Sequence, residues 1–140
     1  MKNLKNNRLP YYDYQADGYY FVTIVSRHRR NIFTGREKMI AQEFRDVIRH
    51  TTGVSLDSLI VMSNHVHAIV TLHGASLPLG EIIRRFKAKV TRGFNQTGVY
   101  VWQPNYYEHI IRTEAALGQI RAYISMNPET ELDKFDQFYK

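Results

Sequence analysis

Two histidines one residue apart constrain this chain more than any other feature. They lie in Val61-Met62-Ser63-Asn64-His65-Val66-His67-Ala68-Ile69-Val70, which reads as a strand end, a tight turn at Ser63-Asn64 and a second strand. Side chains alternate faces along a strand, so His65 and His67 project one way and Val66 the other. The Val66 face runs on through Ala68, Val70 and Leu72, an unbroken apolar row fit for a core. The histidine face continues Ile69, Thr71, His73 and is more polar. Two imidazoles held side by side on a rigid strand make half of a divalent metal site. From sequence alone, such a pair is more often two half-buried polar residues.

What surrounds this hairpin is bounded by composition. A chain of 140 residues with 44% hydrophobic content reads as one domain, 1–140, able to bury a core without staples. The absence of cysteine excludes disulfides and thiolate zinc sites, so a metal would need nitrogen and oxygen ligands. The N-terminus lacks the apolar stretch of a signal peptide, and no run of about 18 apolar residues suggests a membrane span. The expectation is a cytoplasmic protein without a membrane partner. A net charge of +6 and a pI near 9.6 point to a polyanion, most often nucleic acid.

Along the chain, residues 1–17 read as a polar, tyrosine-rich arm, and Tyr19–Ser26 as a β-branched and aromatic central strand. That strand runs into the basic cluster Arg27-His28-Arg29-Arg30. From Arg36 to His50, the residues Ile40, Phe44, Val47 and Ile48 share a helical face, and Gly53 is a stop. Strands at Ser55–Met62 and His65–His73 form the hairpin. Gly80–Phe94 carries a second apolar stripe, while Arg84, Arg85, Lys87, Lys89 and Arg92 cover its remaining surface with only Glu81 opposing them. A solvated face usually mixes signs, so this lopsided helix points to phosphate contact. After a loop at Gln96–Gly98, Tyr106–Arg112 alternates as a fourth strand, with Tyr107, His109 and Ile111 on one face. Thr113 caps a last helix with Leu117, Ile120 and Ile124 as its buried stripe, ended by Pro128; 129–140 is a polar, aromatic tail. The order β-α-β-β-α-β plus a helix predicts an α+β fold, a ferredoxin-like antiparallel sheet with an appended C-terminal helix.

That last helix offers Tyr123 and Asn127, four apart and so on one face. An amide oxygen with two imidazoles suits Mg2+ or Mn2+ better than zinc. A tyrosine one turn from a metal ligand is placed to attack phosphorus in a bound phosphate diester, giving a phosphotyrosine link. Each residue also has a plainer reading. Tyr123 could be a core residue with a wet hydroxyl, Asn127 an ordinary helix terminator, and His109 a strand residue rather than a further base.

The chain resembles the HUH-type single-tyrosine transposases, in particular the REP-associated tyrosine transposase branch, over almost its full length. The matching stretches are Tyr20-Phe21-Val22-Thr23-Ile24, Asn64-His65-Val66-His67, Ile83-Arg84-Arg85-Phe86-Lys87, Trp102-Gln103, Tyr106–Arg112, Tyr123-Ile124 and Asn127-Pro128. The resemblance implies a metal-dependent nuclease and strand transferase acting on single-stranded, hairpin-bearing DNA. His65 and His67 match the two metal-binding histidines, Asn127 the amide-bearing third ligand and Tyr123 the nucleophile, carried on the appended helix. It also implies that the nucleophile takes the DNA 5′-phosphate and releases a 3′-hydroxyl. Ser63 stands where the family commonly has proline, and Glu129-Thr130-Glu131-Leu132 lacks the usual basic and small residues.

DNA contact is expected first at Arg84, Arg85, Lys87 and Lys89, and second at Arg27, Arg29 and Arg30. A homodimer and a monomer are both open. The main alternative is a domesticated relative that binds hairpin DNA without turnover, which would normally have lost His65, His67 or Tyr123. A histidine-triad hydrolase would need a histidine where Ile69 stands. An RNA-binding module would explain charge and aromatics but not the histidine pair.

Overall fold

The computed structural model describes residues 13–94 and 100–126; Asn127, the loop at 96–98, the first twelve residues and the tail from 129 lie outside the described residues. Four strands, β1 (Gly18–Val25), β2 (Val54–Val61), β3 (His65–Leu72) and β4 (Tyr107–Ile111), alternate with α1 (Glu37–Arg49) and α2 (Leu79–Phe94), and α3 (Glu114–Ser125) follows β4. The sheet order is β2-β3-β1-β4, with every neighbouring pair antiparallel. This is the α+β, ferredoxin-like plan with a helix appended. No helix among the described residues is long and apolar enough to cross a membrane.

Alternation along the strands divides the sheet into two unlike faces. Tyr20, Val22 and Ile24 of β1 and Val66, Ala68, Val70 and Leu72 of β3 meet Phe44, Ile48, Ile82, Phe86 and Val90 of α1 and α2 in the larger core. Phe44 and Phe86 stack across the two helices with ring centroids 4.5 Å apart. Trp102 closes one end of this core against Phe33 and Phe86, its indole N–H donating to the Lys87 carbonyl. The opposite face carries a smaller cluster of Phe21, Ile69, Ile111, Ile120 and Ile124, which seats α3.

Local chemistry sets the element ends. The Thr113 hydroxyl accepts from the Ala116 N–H, capping α3 as its sequence position suggests. The hairpin closes with the Met62 N–H donating to the His65 carbonyl around the Ser63-Asn64 turn. Gly53 lies at φ +78° beside Gly74, whose carbonyl oxygen would stand 2.4 Å from any Cβ placed there. Only glycine fits that approach. β2 departs from simple alternation: Leu56 opposes Val70 and Ser58 opposes Ile69, so Asp57 is the extra residue of a β-bulge.

Candidate active site

Because the Val66–Leu72 row is committed to the larger core, His65 and His67 are turned to the other face, beneath α3. Thr23 stands opposite His67 and Val25 opposite His65 across the β1–β3 ladder, and Ile60 flanks His67 from β2. Both imidazoles are fully buried, with centroids 4.6 Å apart and planes at 70°. The His67 ring packs against Phe21 and against Tyr123 of α3, each with centroids 5.4 Å away. Tyr123 is half-buried. The strand pair and the last helix thus bring the two histidines and the tyrosine together.

Hydrogen bonds orient both rings. His65 Nδ1 lies 2.7 Å from Asn64 Oδ1, while Asn64 Nδ2 donates to the Arg29 carbonyl at 3.2 Å. Since the amide nitrogen is committed to a carbonyl, Oδ1 is an acceptor, and His65 Nδ1 must carry the proton. His65 Nε2 therefore holds a lone pair; it is buried and meets no hydrogen-bond partner among the described residues. His67 Nδ1 lies 2.8 Å from the buried Thr23 hydroxyl, and its Nε2 is likewise buried. Burial pushes the His65 pKa down to about 4, helped by the nearby Arg29 charge. Burial also lowers His67, and the neighbouring His65 adds to the effect. Both rings are neutral at neutral pH, the state a metal ligand needs.

Such a pair could hold a divalent cation. Each ring has Nδ1 engaged by a side-chain oxygen, the arrangement that orients ligating histidines elsewhere. Among the described residues, no group of three or more His, Cys, Asp or Glu side chains is gathered to hold a metal. The pair would need oxygen donors from an amide, a substrate or water.

The basic residues fall into two separate places. Arg27, Arg29 and Arg30 form the 3-10 turn and its end beyond β1, at the same end of the sheet as His65. His28 and Arg29 both have positive φ, 57° and 54°, a conformation that costs non-glycine residues about 1–3 kcal/mol each and often marks functional turns. Arg27 stacks 4.8 Å over the exposed Tyr100 ring, and Arg30 donates to the Tyr100 carbonyl. Arg84, Arg85, Lys87 and Lys89 belong to α2, on the sheet face away from the histidines. Arg84 and Arg85 both pair with Glu81, holding its carboxyl down to about 2. Together with Lys89 and Arg92 they line a groove of about 470 Å³ against Asp46, His50 and Thr51. Lys87 instead donates to the carbonyls of Gln103 and Asn105, tying α2 to the segment before β4. His109 stands on the histidine face opposite Phe21, with its pKa lowered by burial and then by Arg112.

Three contributors escaped the sequence reading. Thr23 and Asn64 lay inside recognised stretches, but nothing in a single sequence says which ring nitrogen each would meet. Asp57, at the β2 bulge, makes a two-point ion pair with Arg121 of α3, at 3.0 and 2.5 Å. The polar pair Asp57-Ser58 interrupts the alternation of Val54-Ser55-Leu56, which marks the bulge but not the contact.

Comparisons with known proteins bear on the family and the fold. The IS200-like transposase family profile matches residues 14–127. A Haemophilus influenzae protein, uncharacterized, is 30% identical over 154 aligned positions covering 86% of each chain. The structure of a REP-associated tyrosine transposase bound to a REP hairpin superposes with a TM-score of 0.71 at 25% identity, covering 86% of this chain and 73% of that one. A candidate transposase from Deinococcus radiodurans R1 shares the fold, with a TM-score of 0.58 at 19% identity, covering 89% of this chain and 96% of that one. With the profile spanning most of its length, this chain belongs to the IS200-like transposase family.

Proposed function

We propose that this protein is a metal-dependent single-stranded DNA transposase that nicks and rejoins hairpin-bearing DNA through a 5′-phosphotyrosine on Tyr123. The observation that carries this reading is the Tyr123 ring packed on His67, 5.4 Å between centroids, beside a buried, neutral histidine pair. The hairpin-bound relative supports DNA as the substrate class.

In this reading Nε2 of His65 and Nε2 of His67, with Asn127 as a third ligand, would hold Mg2+ or Mn2+. When bound, the cation supplies Lewis-acid polarisation of a phosphoryl oxygen. Thr23 and Asn64 engage the two Nδ1 atoms, which would leave both Nε2 atoms to the cation. The Tyr123 phenol gives its proton to water and its oxygen attacks phosphorus. As the new P–O bond forms, the bond to the 3′ oxygen breaks, and that oxygen leaves as a 3′-hydroxyl after taking a proton from water. The phosphotyrosine preserves the diester's bond energy, so a 3′-hydroxyl attacking in reverse rejoins a strand and frees Tyr123. Arg27, Arg29 and Arg30 contact phosphates at the site's end of the sheet. Arg84, Arg85 and Lys89 offer a second cationic surface on the other face, while Lys87, expected there from the sequence, is turned to the Gln103 and Asn105 carbonyls.

The test is a denaturing gel of the protein with labelled hairpin-bearing single-stranded DNA from its own genomic flanks, with Mg2+ or Mn2+. A covalent adduct that requires the metal and disappears in Tyr123→Phe is expected. Tight hairpin binding without any adduct would replace this reading with the binding-only relative.

A further inference from the structure

We propose that the Asp57–Arg121 ion pair is a positioning device for Tyr123, setting the roll of α3 about its own axis. This rests on the assignment of Tyr123 as nucleophile. Ile120 and Ile124 are the fully buried residues of α3, both in the smaller core. Ala116, Leu117 and Tyr123 pack against the same core only partly buried, so the apolar side holds the helix down while its roll is open to a further constraint from the polar flank. With 3.6 residues per turn, Arg121 and Tyr123 stand about 80° to either side of the Ile120–Ile124 stripe. Pinning Arg121 on one flank therefore fixes the height of Tyr123 on the other.

The pin is built for orientation. Arg121 Nε and Nη2 donate to separate oxygens of Asp57, at 3.0 and 2.5 Å, and a two-point planar contact resists rotation as a single bond does not. Asp57 reaches α3 from the bulge, where β2 carries one residue more than β3 opposite it. Bulges often re-aim a side chain near a site. Ser58 also donates to Asp57 Oδ1 at 2.8 Å, and the carboxyl is held below the usual carboxylate range, chiefly by Arg121. A partly exposed pair of this kind adds little to stability. Its leverage is geometric. A roll of about 10° moves an atom roughly 6 Å from the axis by about 1 Å, and a 1 Å misplacement costs up to about a hundredfold in rate.

The experiment compares single-turnover adduct formation on hairpin-bearing DNA with Mn2+ for wild type, Asp57→Asn, Arg121→Gln, the swapped pair Asp57→Arg with Arg121→Asp, and Tyr123→Phe. Hairpin affinity and melting temperature are measured on each. The expected result is an adduct rate about ten- to a hundredfold lower in both single variants, with affinity and melting unchanged and partial recovery in the swapped pair. Single variants as fast as wild type would overturn the positioning role while leaving Tyr123 as nucleophile. Slow variants that also melt early and are not rescued by the swap would make the pair a structural contact only. No adduct in the wild type itself would remove the nucleophile assignment, and this inference with it.

Discussion

Replacing Thr23 by valine keeps side-chain volume and removes only the hydroxyl 2.8 Å from His67 Nδ1. Thr23 and His67 are both fully buried, so water cannot take the lost oxygen's place. Leaving a buried nitrogen unsatisfied costs about 1–3 kcal/mol. For a domain of this size that corresponds to a melting temperature lower by roughly 3–12 °C. The larger effect falls on the metal. Without its Thr23 partner, His67 Nδ1 no longer fixes the ring's orientation, and loss of such a partner typically weakens metal binding about 10–100-fold, or about 1.4–2.8 kcal/mol. Titrating Mn2+ into metal-free protein by calorimetry, with melting followed in parallel under chelator, separates the two effects. Thr23→Ser keeps the oxygen and should bind Mn2+ as the wild type does. If Thr23→Val melts early but binds Mn2+ with unchanged affinity, His67 is a packed core residue and its role as a ligand is refuted.

Further outcomes follow from other parts of the molecule. Gly53→Ala, which combines a positive φ with backbone contact, should cost about 2–4 kcal/mol in urea unfolding; an unchanged midpoint would contradict the close approach to Gly74. Burial lowers Lys87 from 10.5 to about 8, so between those values the unfolded chain binds the extra proton and stability should rise with pH. That rise, followed by thermal melting from pH 8 upward, should vanish in Lys87→Met; its persistence would place the titrating group elsewhere. Neutralising Arg84 and Arg85 together should weaken hairpin binding and lower the salt slope by about 1–2, and an unchanged slope would exclude α2 from the DNA interface.

How far the sequence could be read depended on the range of the interaction. Strand alternation needs only neighbours, so the division of Val66, Ala68, Val70 and Leu72 from His65 and His67 was legible and matches the two faces of the sheet. The Thr113 cap and the stripes of α1 and α2 follow from the same short-range periodicity. The relation between α2 and the histidines was not legible. The cationic helix reads strongly as a binding face, yet only the crossover topology puts it behind the sheet, away from Tyr123. Lys87 reads as a surface cation until the fold brings the carbonyls of Gln103 and Asn105 to it. Thr23 and Asn64 gain their importance only from register, which sets Thr23 beside His67 and turns the Arg29 carbonyl toward Asn64. The Asp57–Arg121 contact spans 64 positions and no local rule anticipates it.

The central claim is that DNA becomes bonded to Tyr123, and peptide mapping of the adduct tests it most directly. Protein incubated with hairpin-bearing DNA and Mn2+ is digested with nuclease and trypsin, and the peptide carrying residual nucleotide is sequenced by mass spectrometry. The account predicts the phosphonucleotide on the peptide that begins at Ala122, with its mass attached at Tyr123. Nucleotide attached to any other residue would contradict it.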